Sequence, residues 1–261
     1  MKHTIIAGFL AAGTIMATSG CSLLASINWD ASQLTAAASN VMTAASITDE
    51  QIVELSKQAV KQYDAENIVD TGVYYQRLKK LLGKTTEIEG IPINFKVYKL
   101  NEVNAFACGD GSIRVYSGLM DIMDDGELMA IIGHEMGHVV HKDTKNAMKK
   151  AYMTAAARDV VNAAGSLGAI TKTQLGDIAE AYVGSQYSQQ QEFAADDYGF
   201  QFSSEMGFNP YSMATSLEKL VQLAGSSKAS LVQKMFSSHP DSAERAAKMR
   251  EKADSYTNKK K

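Results

Sequence analysis

Apolar and polar positions along this chain fall into three regimes. Near the start, Ile5 to Met16 forms an almost unbroken apolar stretch behind Lys2 and His3. In the middle, two strand-like runs, Ile93 to Leu100 and Ser112 to Ser117, flank Asn104-Ala105-Phe106-Ala107 and the turn signal Gly109-Asp110-Gly111. They predict a small sheet of about three strands. Elsewhere the pattern is helical. Thr48-Asp49-Glu50-Gln51 has capping-box spacing and opens a helix through Tyr63 or a little beyond, and a second covers Tyr74 to Leu82 before Gly83. A third is expected from about Gly126 to Lys142, with Asp124 and Asp125 at its positive N-terminal end. A fourth should occupy Thr144 to Ala164, where Arg158, Asp159 and Asn162 would be costly in lipid, so it reads as amphipathic and not as a membrane span. Helix continues through Glu205, ends near Gly207 and resumes after Pro210. The sum is an α+β fold, mostly helical.

Composition sharpens this picture without redirecting it. With 261 residues, 45% hydrophobic and 21% charged, the chain suits one main domain with a sizeable core. Three Pro and frequent Ala, Met, Gln and Lys agree with the helical reading. The net charge of -3 gives no electrostatic reason to expect a nucleic-acid partner.

The apolar stretch at the start is too short to span a bilayer durably but fits a secretory signal core. It runs into Thr18-Ser19-Gly20-Cys21, which resembles the lipobox of bacterial lipoproteins, although Thr18 stands where that pattern usually has Leu. The resemblance implies a signal peptide over residues 1–20 and lipid on Cys21. Ser22 resembles a signal for the outer membrane, so the expected location is that membrane's periplasmic side. Residues 21–46, rich in Ala, Ser, Thr and Asn, read as a tether, 47–255 as the catalytic domain and 256–261 as a basic tail. A lipidated Cys21 leaves Cys108 without an intrachain partner, and Cys108 reads as a small buried hydrophobe.

One segment carries chemistry outright. In His134-Glu135-Met136-Gly137-His138, residues four apart lie about 400° around a helix, so both imidazoles project from one face and can share a tetrahedral zinc. Glu135 beside them can take a proton from a zinc-bound water and hand it to a leaving amine. A third histidine ligand in the extended pattern would need Gly at position 141 and His at 144, where the chain has His141 and Thr144. His141 itself lies a further turn along and is better suited to an exposed or supporting role. Glu192 is the stronger candidate, because Asp196 one turn on could hold a ligand histidine by its other ring nitrogen. An ordinary acidic helix face is the competing reading of those two residues.

Taken together, His134-Glu-x-x-His138, Glu192-x-x-Ala195-Asp196, His239-Pro240-x-x-x-x-Arg245, Asn104 to Ala107 and Ile113 to Met120 resemble the gluzincin metallopeptidases of the HtpX/Ste24/Oma1 family. The likeness covers about Asp49 to Arg250. It implies a zincin-like domain holding one Zn2+ per chain on His134, His138 and Glu192, with Asp196 in support. It also implies an edge strand at Asn104, Ala105, Phe106 and Ala107 that pairs with extended substrate, which tolerates many sequences. His239 would steady the oxyanion, and Arg245 would anchor its loop. Being a good zinc ligand on a loop, His239 could equally latch onto the metal and hold the enzyme at rest.

The expected activity is therefore zinc-dependent endopeptidase action on misfolded or unassembled envelope proteins, with other envelope quality-control or assembly proteins as further partners. Two competing readings keep the residues but change the role. One is a chaperone for outer-membrane proteins with structural zinc, and the other is a zinc hydrolase of cell-wall peptide. Glu135 disfavours the chaperone, because a pure binder has no use for a carboxylate that is not a ligand.

Overall fold

The computed structural model describes residues 46–157, 171–240 and 242–259. The signal segment, Cys21 and nearly all of the tether lie outside the described residues, as does the end of the helix expected to reach Ala164. Among the described residues no helix is long and apolar enough to cross a membrane.

Thr48 caps α1 (Asp49–Glu66) through the expected box: its hydroxyl accepts from the Gln51 amide, and the Gln51 side chain accepts from Thr48 N–H. The strand β1 (Val69–Asp70) leads to α2 (Val73–Leu82). A separate two-stranded ladder of β2 (Glu87–Ile88) and β3 (Ile91–Pro92) precedes β4 (Asn94–Tyr98), β5 (Ala105–Ala107) and β6 (Ser112–Tyr116). The main sheet has order β1-β4-β6-β5, with β4 and β6 parallel and both outer pairs antiparallel. It has four strands, not about three, because β1 adds a two-residue edge too short to show an alternating pattern.

Alternation along β6 sorts the core into two layers. Ile113 and Val115 join Val97, Ala105 and Ala107 on the face packed with α4 (Asp125–Val140) and the helices beyond it. Tyr116 joins Tyr98, Phe106 and Cys108 on the opposite face, against α1, α5 (Asp143–Ala157) and α6 (Lys172–Val183). Arg114 also points to that second face. It is 1% exposed, and its Nε and Nη2 donate to Asp64 of α1 at 2.8 and 3.1 Å.

A short α3 (Ser117–Ile122) leads to α4, capped by Asp124 with Glu127 reciprocating. The helix stops at Val140, and His141 caps it, two residues before the expected end at Lys142. Lys142 adopts a positive φ of 65°, which turns the chain directly into α5. Ser188 caps α7 (Gln189–Glu205), followed by α8 (Ser212–Ala224), α9 (Ala229–Ser238) and α10 (Ser242–Lys259). The domain boundary expected at residue 255 falls inside α10, where Tyr256 lies edge-on to Phe200 at 5.5 Å. Residues 256–259 are helix and not a loose tail.

Glycines set the distance between α4 and α7. A Cβ on Gly133 would lie 2.9 Å from Gly199 Cα, and one on Gly137 would lie 3.0 Å from Ala195 Cα. Two helices bearing side chains at those positions could not approach so closely.

Candidate active site

On α4, His134 and His138 are 3% and 0% exposed. Each is held from behind by a carboxylate: Asp196 Oδ1 lies 2.8 Å from His134 Nδ1, and Asp143 Oδ2 lies 2.9 Å from His138 Nδ1. Those contacts hold each ring by its Nδ1 and turn the two Nε2 atoms inward, 3.1 Å apart. Glu192 on α7 brings Oε1 to 3.3 Å from His138 Nε2 and Oε2 to 3.7 Å from His134 Nε2. His239, just past α9, brings Nδ1 to 3.0 Å from Glu192 Oε1 and 3.2 Å from His134 Nε2. One ligand atom from each of the four residues lies within 4.8 Å of all the others. Ring nitrogens and a carboxylate, all buried and converging on one point, form a group that could hold a metal ion. Two imidazoles with a carboxylate are a donor set that suits zinc.

Charge around the cluster is balanced by a cation of the chain. Arg245 donates from Nε to Asp196 Oδ2 at 2.7 Å and from Nη2 to Asp196 Oδ1 at 2.6 Å, while its Nη1 rests against Glu192 Oε2. It also donates to the Pro240 carbonyl at 3.4 Å. Arg245 thus braces both acids of α7, besides touching the His239 loop it was expected to anchor. Burial would raise the Asp196 carboxyl, but the Arg245 guanidinium overrides it and holds the group below its ordinary range. Glu192 is likewise held low against its burial, chiefly by the charge of His239 and the hydrogen bond from His138. Burial depresses His134, whereas at His138 the hydrogen bonds to Asp143 and Glu192 outweigh burial and lift it to about 9.

Glu135 adjoins the cluster through His239, whose Nε2 lies 3.6 Å from its Oε1. It is 2% exposed, and its Oε1 has no hydrogen-bond partner among the described residues. It lines a narrow cleft with Asn104, Ala105, Phe106, Tyr182, Tyr187 and His239. The predicted edge strand is therefore at the sheet's edge and beside the glutamate, with Asn104 immediately before β5. The Tyr182 hydroxyl donates to the Ala107 carbonyl. His141 is exposed at the end of α4 and does not join the cluster. Cys108 is buried, as read.

Sequence reasoning missed two neighbours of the metal histidines. Asp143 lies five residues past His138, across the turn at Lys142, where no helical spacing would aim it back. Tyr187 stacks on the His138 ring with centroids 3.9 Å apart and planes at 15°. It lies in the loop before α7 and carried no motif signal.

Two histidines and a glutamate from adjoining helices, with a second glutamate between the cluster and a sheet edge, define a zinc metallopeptidase centre. The chain belongs to peptidase family M48, which it matches over residues 75–253. It is 41% identical to Metalloprotease LoiP of Escherichia coli strain K12, over 86% of this chain and 89% of that protein. It is 38% identical to Metalloprotease YcaL of the same strain, over 82% and 84% of the two chains. A Protease HtpX homolog of Ralstonia pickettii strain 12J is 25% identical over 64% of this chain and 63% of that protein. The enzyme is a metalloprotease, and its cofactor is zinc.

Proposed function

We propose that this metalloprotease is a lipid-anchored endopeptidase on the periplasmic side of the outer membrane, cutting misfolded or unassembled envelope proteins. The carrying observation is the buried Glu135 Oε1, which makes no hydrogen bond among the described residues, between the histidine cluster and the outer strand β5. His134, His138 and Glu192 would hold the zinc, which when bound would supply a polarised water and a Lewis acid for the peptide carbonyl. Glu135 takes the proton and delivers it to the leaving amine. β5, with Asn104 before it, holds an extended substrate by its backbone, which favours unfolded chains over any one sequence. Asp196 and Arg245 keep His134 and Glu192 oriented, and His239 stands where it either latches onto the metal at rest or donates a hydrogen bond to the developing oxyanion. The apolar stretch ending at Cys21 supports export and lipidation, and the protein reaches its membrane by that anchor. Other envelope quality-control or assembly proteins are the partners such a location offers, and nucleic acid is not among them.

Glu135→Gln separates an enzyme from a chaperone with structural zinc. The variant should keep its zinc and lose about 10²- to 10⁴-fold of casein cleavage. Unchanged cleavage with zinc retained would sink the mechanism. A peptidoglycan assay alongside distinguishes protein from cell-wall peptide as substrate.

A further inference from the structure

The carboxylate behind His138 is itself held by the helix that supplies Glu192. Asp143 Oδ2 faces His138 Nδ1 at 2.9 Å, and the other oxygen, Oδ1, accepts from Gln191 Nε2 at 2.6 Å. Gln191 is also the reciprocating residue of the α7 capping box. Its Oε1 accepts from Ser188 N–H and from the Ser188 hydroxyl, both at 2.9 Å. The amide therefore has one orientation that satisfies both ends, with oxygen to the cap and nitrogen to Asp143. A capping box is served equally by Gln or Glu at this position, but only Gln has a donor left over.

We infer that Gln191 is a positioning residue for the metal: through Asp143 it fixes the His138 ring and locks the start of α7, hence Glu192, to α4. The chain of contacts Ser188, Gln191, Asp143, His138 gives the second histidine the support that Arg245 and Asp196 give the first. A metal ligand's outer hydrogen-bond partner sets ring orientation and basicity, and its loss typically weakens metal binding about 10- to 100-fold. Because Gln191 adjoins Glu192, releasing it frees two ligands at once.

This inference rests on the reading that His134, His138 and Glu192 hold zinc. The discriminating variant is Gln191→Glu in the full chain, which preserves the capping box but replaces the donor to Asp143 with a second carboxylate. Zinc affinity, measured by chelator competition, should fall about 10- to 100-fold. The double variant Gln191→Glu/Asp143→Asn rebuilds the contact with its polarity reversed. The amide introduced at position 143 can donate to the carboxylate introduced at position 191 and still accept from His138, so this variant should recover most of the loss. Wild-type affinity in Gln191→Glu would overturn the inference and reduce Gln191 to a helix cap. So would failure of the double variant to recover affinity, including where the single variant does not fold. Glu192→Gln and His138→Ala run alongside as controls: if they bind zinc like the wild type, the ligand assignment itself fails, independently of Gln191.

Discussion

His239 faces two ways. Its Nδ1 reaches into the ligand cluster, and its Nε2 lies 3.6 Å from Glu135 Oε1. A ring so placed touches both the ligand cluster and the catalytic glutamate, so a latch and an oxyanion donor predict opposite results for its removal. If the unlatched form is on the order of 10% populated, His239→Ala should raise basal peptide cleavage about tenfold. A large drop in that assay would instead assign His239 to the oxyanion alone. At this scale the sequence was readable where chemistry repeats within one helix. His134 and His138 share a face by spacing, and Glu192 and Asp196 are one turn apart. Tyr187 and Asp143 were not readable, because a turn and a loop aim them and neither leaves a periodic trace.

Between elements, the decisive contact is α4 against α7, since it brings Glu192 to the two histidines. Gly199 is the closest point: a Cβ there would run into the Ala130 carbonyl oxygen and lie 2.9 Å from the His134 backbone nitrogen. Backbone atoms cannot swing aside as a flexible side chain can, so Gly199→Ala must push the helices apart. We expect it to cost roughly 1–3 kcal/mol in urea unfolding and to weaken zinc binding in the same protein. Wild-type stability and affinity together would show that the helix pair has slack. Capping boxes were the best guide to elements, as at Thr48, because they need only four residues. The two-residue strands β1, β2 and β3 offer no alternation to detect, and the end of α4 depends on a positive φ at Lys142 that a lysine does not advertise.

Across the whole molecule, the catalytic layer on one sheet face is tied to α1 on the other through a shared carboxylate. Asp64 accepts from Arg114 of β6 and from Lys96 and Tyr98 of β4, each at 2.8 Å. Nothing in the sequence linked Asp64 to Arg114, since they are 50 residues apart and meet only once the sheet and α1 are packed. Burial acts to raise the Asp64 carboxyl, but the Arg114 hydrogen bond, then Lys96, override it and hold the group below its ordinary value. A folded value depressed below the unfolded one of about 3.9 contributes stability that is present above that pH and lost as pH falls through the folded value. Asp64→Asn should therefore cost on the order of 3 kcal/mol at pH 7, because it leaves the buried Arg114 charge without its partner. The gap between variant and wild type should begin to narrow below about pH 4, where the carboxyl takes up a proton in the unfolded chain, and go on narrowing as pH falls toward the lower folded value. Urea titrations of both proteins, metal-free, at about pH 7 and about pH 3 measure it directly. A gap that stays constant with pH would mean that Asp64 stabilises the fold by packing and neutral hydrogen bonds, and that its charge contributes nothing.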